Sequence, residues 1–256
     1  MSDHIFTWDR YRAILAAGLE AGYRYASFGD DVDGKRIYLR HDIDNDITVA
    51  HRMAALEKEM GVQATYLVLI RSANYNAAEG RNLRMLAEMA DMGHDIGLHF
   101  SLEDHPQFAR GHDLVELIRS DADLLATMLG APVTIFGFHN PTEAGQFQVD
   151  VSGMINTYAD RYYKNIYYMS ESNMRWRDGC PGEKLIRGRH KIIQLLVHPL
   201  SYAGDLASDY DVLIHFLELK LSDLFEYNLK QNRVLREAEY SVGDVLKELS
   251  SIHTDS

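Results

Sequence analysis

Two aspartates and four histidines stand where an α/β chain does chemistry. Asp42 and Asp44 are one residue apart at the end of the β-rich run 37–41. In extended backbone, positions two apart share a face, so both carboxylates converge on one point. Like charges that close are costly without a cation. His41, His99, His139 and His198 each close a predicted strand. Two imidazoles and one carboxylate form a common ligand set for a catalytic divalent metal that keeps positions open for water and substrate. The second carboxylate is then free to act as a base. The plainer reading makes Asp42 and Asp44 a solvated turn, with Asp44 or Asn45 capping the next helix, and makes His99 a buried histidine bonded to backbone. Taken singly, each residue favours the plainer reading. The convergence of several strand ends favours the metal site.

These residues need elements to carry them. Tyr11, Leu15 and Leu19 recur every four residues before Gly22 and predict an N-terminal helix over about 7–22. Val49, Met53, Leu56 and Met60 share another helical face, with Gly61 where a C-terminal cap belongs. Leu83, Leu86 and Ala90 mark a third helix, and Leu114, Leu117, Ile118, Leu124, Leu125 and Met128 a fourth. A long C-terminal helix is predicted over about 210–229, with Leu213, Phe216, Leu217 and Leu224 on one side. Between these helices, residues 64–70, 95–100, 133–138, 166–170 and 192–198 read as strands. Strands alternating with helices predict a parallel sheet, and near-continuous apolar strands suit one covered on both faces or closed into a barrel. The six strands fall one or two short of an eightfold barrel, a fold that places its chemistry at the C-terminal strand ends. No linker or repeat of fixed period divides the chain, which reads as one domain over 1–256.

Composition bounds the rest. A chain of 256 residues can bury a large core by itself. The single cysteine, Cys180, excludes a disulfide framework and a Cys-rich zinc module, which fits a reducing compartment. The polar opening leads into Trp8-Asp9-Arg10 with no signal-peptide core, and the apolar runs are too short to span a bilayer; a cytoplasmic location is expected. With 26 Lys and Arg against 38 Asp and Glu, a net charge of -12 argues against nucleic acid as a partner.

Tyr38-Leu39-Arg40-His41-Asp42-Ile43-Asp44, Ala64-Thr65-Tyr66, Gly93-His94-Asp95-Ile96-Gly97-Leu98-His99 and Leu196-Val197-His198-Pro199 resemble the ordered motifs of the polysaccharide deacetylase family. This is the group with nodulation-factor deacetylase homology, carbohydrate esterase family four. The match spans roughly residues 37 to 200. More narrowly, the Trp8 to Tyr25 opening, Phe138-His139-Asn140-Pro141 and the Ser172 to Trp176 region are similar to deacetylase-like proteins of surface-polysaccharide biosynthesis. The resemblance implies an α/β fold, a distorted, incomplete (β/α) barrel of about six to seven parallel strands. It also implies a metal-dependent deacetylase that hydrolyses N-acetyl, less often O-acetyl, groups on sugars. By position, Asp42 is then the general base, Asp44 a metal ligand, His99 the first metal histidine and His198 the general acid. The cofactor is one divalent ion, zinc by default, with nickel, cobalt or manganese able to take the same donors.

Two segments depart from the family pattern. The family pairs its metal histidines as His-x-x-x-His, but Glu103 stands four residues after His99 and the next histidine is His105. His105, followed by Pro106 as in the family, is preferred as the remaining ligand, with Glu103 as the alternative. Where the family carries an Arg that restrains the catalytic aspartate, this chain reads His139-Asn140-Pro141-Thr142. His139 then orients Asp42, contacts the metal, or simply packs at a strand end, and the Thr142 backbone supplies an oxyanion donor. Glu171 and Trp176 correspond to the family's acidic-tryptophan motif, with the indole either against a sugar ring or in the core. Lys184, Arg187, Arg189 and Lys191 form a basic run that is either a solvated loop or a contact for an anionic substrate such as a sugar nucleotide, a lipid diphosphate sugar or a uronic acid. A metal-dependent amidohydrolase acting on a small non-sugar amide, and a carbohydrate-binding protein that has lost part of the ligand set, are the alternative functions. Nothing in the sequence sets an oligomeric state.

Overall fold

Strand β2, Arg36–Ile43, is the central element, and its alternation decides the rest of the fold. Ile37, Leu39 and Ile43 pack outward into the main apolar cluster beneath the helices. Tyr38 packs on the other side, in a second cluster with Phe28, Leu67, Ile135 and Tyr162. A strand buried on both faces is what a parallel sheet covered by helices requires. Arg40 and Asp42 lie on the Tyr38 face, where period two puts them. The computed structural model describes residues 6–30, 33–107, 110–111, 113–141, 148–177, 179–204, 206, 208–237, 240–245 and 247.

The other strands are β1 (Arg24–Tyr25), β3 (Thr65–Val68), β4 (Asp95–Phe100), β5 (Ile135–Phe138), β6 (Ile155–Asn156), β7 (Tyr167–Ser172), β8 (Arg175–Trp176) and β9 (Ile192–Val197). They form one sheet in the order β6-β5-β4-β3-β2-β9-β7-β8, with β1 beside the start of β2. Every pairing is parallel except β7 with β8. From β2 the order runs through β3 to β6 on one side and returns through β7 and β9 on the other. The last long strand therefore pairs with the first central one, as in a barrel. No pairing joins β6 to β7 or β8 among the described residues. The fold is thus a curled α/β half-barrel, open between β6 and the β7–β8 hairpin.

The helices are α1 (Trp8–Glu20), α2 (Ile47–Glu59), α3 (Gly80–Asp91), α4 (Leu114–Leu129), α5 (Asp160–Tyr163), α6 (Pro181–Arg187), α7 (Asp209–Gln231) and α8 (Arg233–Glu237). Thr7 and Asp113 cap α1 and α4 through their side chains, and Gly130 ends α4 in the left-handed region at φ 67. The cap of α2 is Asp46, which accepts from the N–H groups of Thr48 and Val49. Asp44 and Asn45, the caps of the plainer reading, do not take that role. This leaves the Asp44 carboxylate available at the strand end.

His41 points outward, away from the other three strand-end histidines. Its Nε2 lies 2.8 Å from the fully buried Glu57 of α2, and its Nδ1 bonds the Val197 carbonyl at 3.0 Å. Tyr11 and Tyr66 also donate to Glu57. Burial works to raise the Glu57 pKa, but His41, His94 and the tyrosine hydroxyl outweigh it and hold the carboxyl below its usual range. One charged group thus joins α1, α2, β2, β3 and β9. His41 anchors the barrel and takes no part in the cleft.

The chain divides into two units, Met1–Ala207 and Ser208–Ser256, where the sequence marks no boundary within 1–256. The first unit holds the barrel. In the second, α7 buries Val212, Phe216 and Phe225, while Leu213, Leu217 and Leu224 stay exposed. Of the expected stripe through Leu213, Phe216, Leu217 and Leu224, which lies on one side of the helix, Phe216 alone is buried. No helix among the described residues is long and apolar enough to cross a membrane.

Candidate functional site

The C-terminal ends of β2, β4, β5, β7 and β9 surround a cleft of about 110 Å³. Asp42, Asp44, His99, His139, Glu171, Arg177 and His198 are among the residues that line it.

At its centre, Asp44 Oδ1 lies 3.1 Å from His99 Nε2 and 3.5 Å from His139 Nδ1, and the two nitrogens are 3.2 Å apart. Three donors of a tetrahedral ion bound at 2.0–2.1 Å stand about 3.3 Å from one another. Asp44 Oδ1 is buried and makes no hydrogen bond of proper geometry, close as both imidazoles are. The donor set therefore fits a divalent cation. Burial works against ionisation of Asp44, but the close approach of the His139 and His99 imidazoles, together with the charge of His198, holds its pKa far below the usual range. His139 is raised by Asp44. Its position follows from β5, since its backbone N–H donates to the Phe100 carbonyl at the end of β4. Asn140, immediately after it, turns the chain in the left-handed region at φ 43.

Asp42 is held separately. Arg40, two residues earlier on the same face, donates from Nε and Nη2 to the two carboxylate oxygens, both at 2.7 Å. Arg40 is 0% exposed and Asp42 3%. Desolvation would raise the Asp42 pKa, but the Arg40 guanidinium, with His99 and His198, outweighs it and keeps the carboxyl ionised. Arg40 also lies over the Tyr158 ring, 4.5 Å from its centre. Gly137 makes room for it: a Cβ there would meet Arg40 Nη2 at 3.0 Å and Thr157 Oγ1 at 2.5 Å.

His198 stands on the other side of Asp44, with Nε2 3.8 Å from Oδ2. Glu171, fully buried, accepts from His198 Nδ1 at 3.2 Å and from the His198 backbone N–H at 3.1 Å. Burial lowers the His198 pKa, but Glu171 and the two aspartates outweigh it and push it up to about 9. Glu171 is fixed by the β7–β8 hairpin. The turn residues Asn173 and Met174 both have positive φ, as a two-residue turn of this kind demands, and the Met174 N–H donates to Glu171 at 2.6 Å.

The cleft thus gathers Asp42, Asp44, His99, His139 and His198. It does not gather His105, the expected third ligand. The two extra residues after His99 carry the chain through a turn, and His105 Nε2 sits 2.8 Å from the buried Asp121 of α4, with its ring stacked on Phe100 at 4.8 Å. Arg71 also donates to Asp121, at 2.7 and 3.2 Å. Glu103 is exposed and does not line the cleft. His139 fills the third place instead. Restraint of Asp42, assigned to His139 as one option, falls to Arg40. Trp176 pairs in register with Glu171 but turns its indole onto Phe6, with ring centres 6.3 Å apart. Arg187 is exposed on α6 with Glu183 3.4 Å away, and Arg177 is the arginine that lines the cleft. Thr142 lies outside the described residues.

Sequence reasoning missed Arg40 and did not give Glu171 its place beside His198. Arg40 was legible in the Arg-x-Asp spacing on one strand face. The Glu171 pairing needs the hairpin register.

No family model and no curated protein matches the chain. Solved structures do resemble it, and those compared are CE4 family proteins and polysaccharide or peptidoglycan deacetylases. A peptidoglycan deacetylase of Bdellovibrio bacteriovorus is 15% identical, with a TM-score of 0.45 over 76% of this chain and 52% of that one. A polysaccharide deacetylase of Bacillus cereus is 14% identical, with a TM-score of 0.42 over 73% of this chain and 88% of that one. A CE4 family pseudoenzyme of Bacillus anthracis is 14% identical, with a TM-score of 0.39 over 73% of this chain; the chain spans 61% of that protein's length. The fold assignment rests on the strand order given above.

Proposed function

We propose that the chain is a metal-dependent hydrolase that removes an N-acyl group, acetyl first of all, from an amino sugar presented as a sugar nucleotide or lipid-linked sugar. The process would be surface-polysaccharide biosynthesis in the cytoplasm. The observation that carries this reading is the three-donor triangle of Asp44, His99 and His139, flanked by Asp42 on Arg40 and His198 on Glu171. Motif order supports the sugar as substrate, and Arg177 at the cleft supports an anionic one.

Asp44, His99 and His139 would hold the ion, with zinc the first choice and nickel, cobalt or manganese suited to the same donors. When bound, a divalent ion supplies Lewis-acid polarisation of the acyl carbonyl and a lower pKa for water. Asp42 accepts the proton of the attacking water. The guanidinium of Arg40 fixes that carboxylate in orientation and keeps it ionised beforehand. His198, protonated at neutral pH because Glu171 supports its charge, gives its proton to the departing nitrogen as the C–N bond breaks. The products are a short carboxylic acid and a free amine.

The test is acetate or formate release from a panel of N-acylated sugar nucleotides, with and without chelator. We expect release that chelator abolishes and added divalent ion restores. Hydrolysis confined to small non-sugar amides would transfer the protein to the amidohydrolase reading. No release from metal-loaded protein, with sugar binding retained, would make it a carbohydrate-binding homologue.

A further inference from the structure

Strand β2 ends at Ile43, which pairs with Val68, the last residue of β3. The peptides on either side of the Asp44 Cα therefore lie at and beyond the last rung between these strands. Segment 69–75, which follows β3, reaches back over that end. Tyr75, buried, donates from its hydroxyl to the Ile43 carbonyl at 2.6 Å and accepts from the Leu69 N–H at 3.0 Å. Ser72 donates to the Asp44 carbonyl at 3.0 Å and accepts from the Asn74 N–H at 3.1 Å. A carbonyl only accepts and a backbone N–H only donates, so the direction of each hydroxyl proton is forced. Asn74 Nδ2 adds a longer bond to the Asp44 carbonyl, at 3.4 Å. The segment is itself anchored, because Arg71 donates twice to the buried Asp121 of α4.

We propose that Ser72, Asn74 and Tyr75 are positioning residues for the metal ligand Asp44. The inference rests on the metal site proposed above. Each peptide unit is planar. Holding the carbonyls of Ile43 and Asp44 therefore fixes the planes on both sides of the Asp44 Cα, and with them the direction in which its side chain leaves the backbone. Asp44 needs this support. Its Oδ1 makes no hydrogen bond, so its aim between His99 and His139 depends on the backbone that carries it. Stabilising the loop alone would not require three donors to converge on the two carbonyls that flank one Cα. Groups that orient a metal ligand in this way are worth roughly 10–100-fold in affinity for the ion.

The test is the zinc affinity of the chelator-stripped protein, measured by competition with a chromophoric chelator, beside the visible spectrum of the cobalt-loaded form. Ser72→Ala with Asn74→Ala is expected to weaken zinc binding roughly 10–100-fold and to alter the cobalt spectrum. The melting temperature of the metal-free protein should stay unchanged, because Ser72 is only half-buried and Asn74 is exposed. Tyr75→Phe, which keeps the ring and removes the donor, should weaken zinc in the same direction. Ser72→Ala alone should also weaken it, whereas Ser72→Thr, which keeps the hydroxyl, should bind zinc as the unaltered chain does. Zinc bound by the unaltered chain and held equally tightly by the double variant would overturn the positioning role and leave the metal site standing. So would a Ser72→Thr variant as weak as Ser72→Ala, or a metal-free double variant that melts well below the unaltered chain. No zinc uptake by the unaltered chain would instead remove the metal site, and this inference with it.

Discussion

Asp42→Asn is expected to lower kcat/KM by about 10²–10⁴ while the bound metal is retained. The amide keeps the size and one acceptor of the carboxylate but cannot take up a proton. Asp42 is outside the triangle of Asp44, His99 and His139, so the substitution leaves the three donors in place. Turnover and metal content measured on the same preparation check this, with thermal stability read alongside because Arg40 loses its charged partner. Unchanged kcat/KM in a metal-loaded variant would remove the base role.

Arg40→Met is expected to lower unfolding stability by about 3–5 kcal/mol, the usual cost of leaving a buried charge without its partner. Arg40 is fully buried and supplies both hydrogen bonds that compensate Asp42. The double variant with Asp42→Asn carries neither charge and should recover much of that loss. Urea denaturation of the single and double variants decides it. A single variant that costs less than about 1 kcal/mol, in the range of an exposed ion pair, would mean that solvent reaches Asp42 and that the pair is not the restraint described.

Much of this arrangement can be read from the chain without coordinates. The strand-ending positions of Asp42, Asp44, His99, His139 and His198 follow from local pattern, because a strand's alternation and its apolar run are nearest-neighbour properties. Which of these side chains meet is a long-range property. His105 shows the limit. In sequence it has the right neighbour, Pro106, but two additional residues swing it to Asp121, a carboxylate in α4 whose burial no local pattern announces. Arg187 and Trp176 fail as site residues for the same kind of reason. One ends a short helix beside Glu183, and the other is turned onto Phe6 by the hairpin register. In α7 the face was legible but its burial was not, since Leu213 and Phe216 share that face and only Phe216 is buried. The open edge at β6 fits the expectation of an incomplete barrel.

The central claim is that Asp44, His99 and His139 hold one divalent ion. Its most direct test is elemental analysis of the purified protein beside the variants His139→Ala and His105→Ala. One ion per chain is expected in the unaltered protein and in His105→Ala, and little or none in His139→Ala. An ion kept by His139→Ala and lost by His105→Ala would contradict the account.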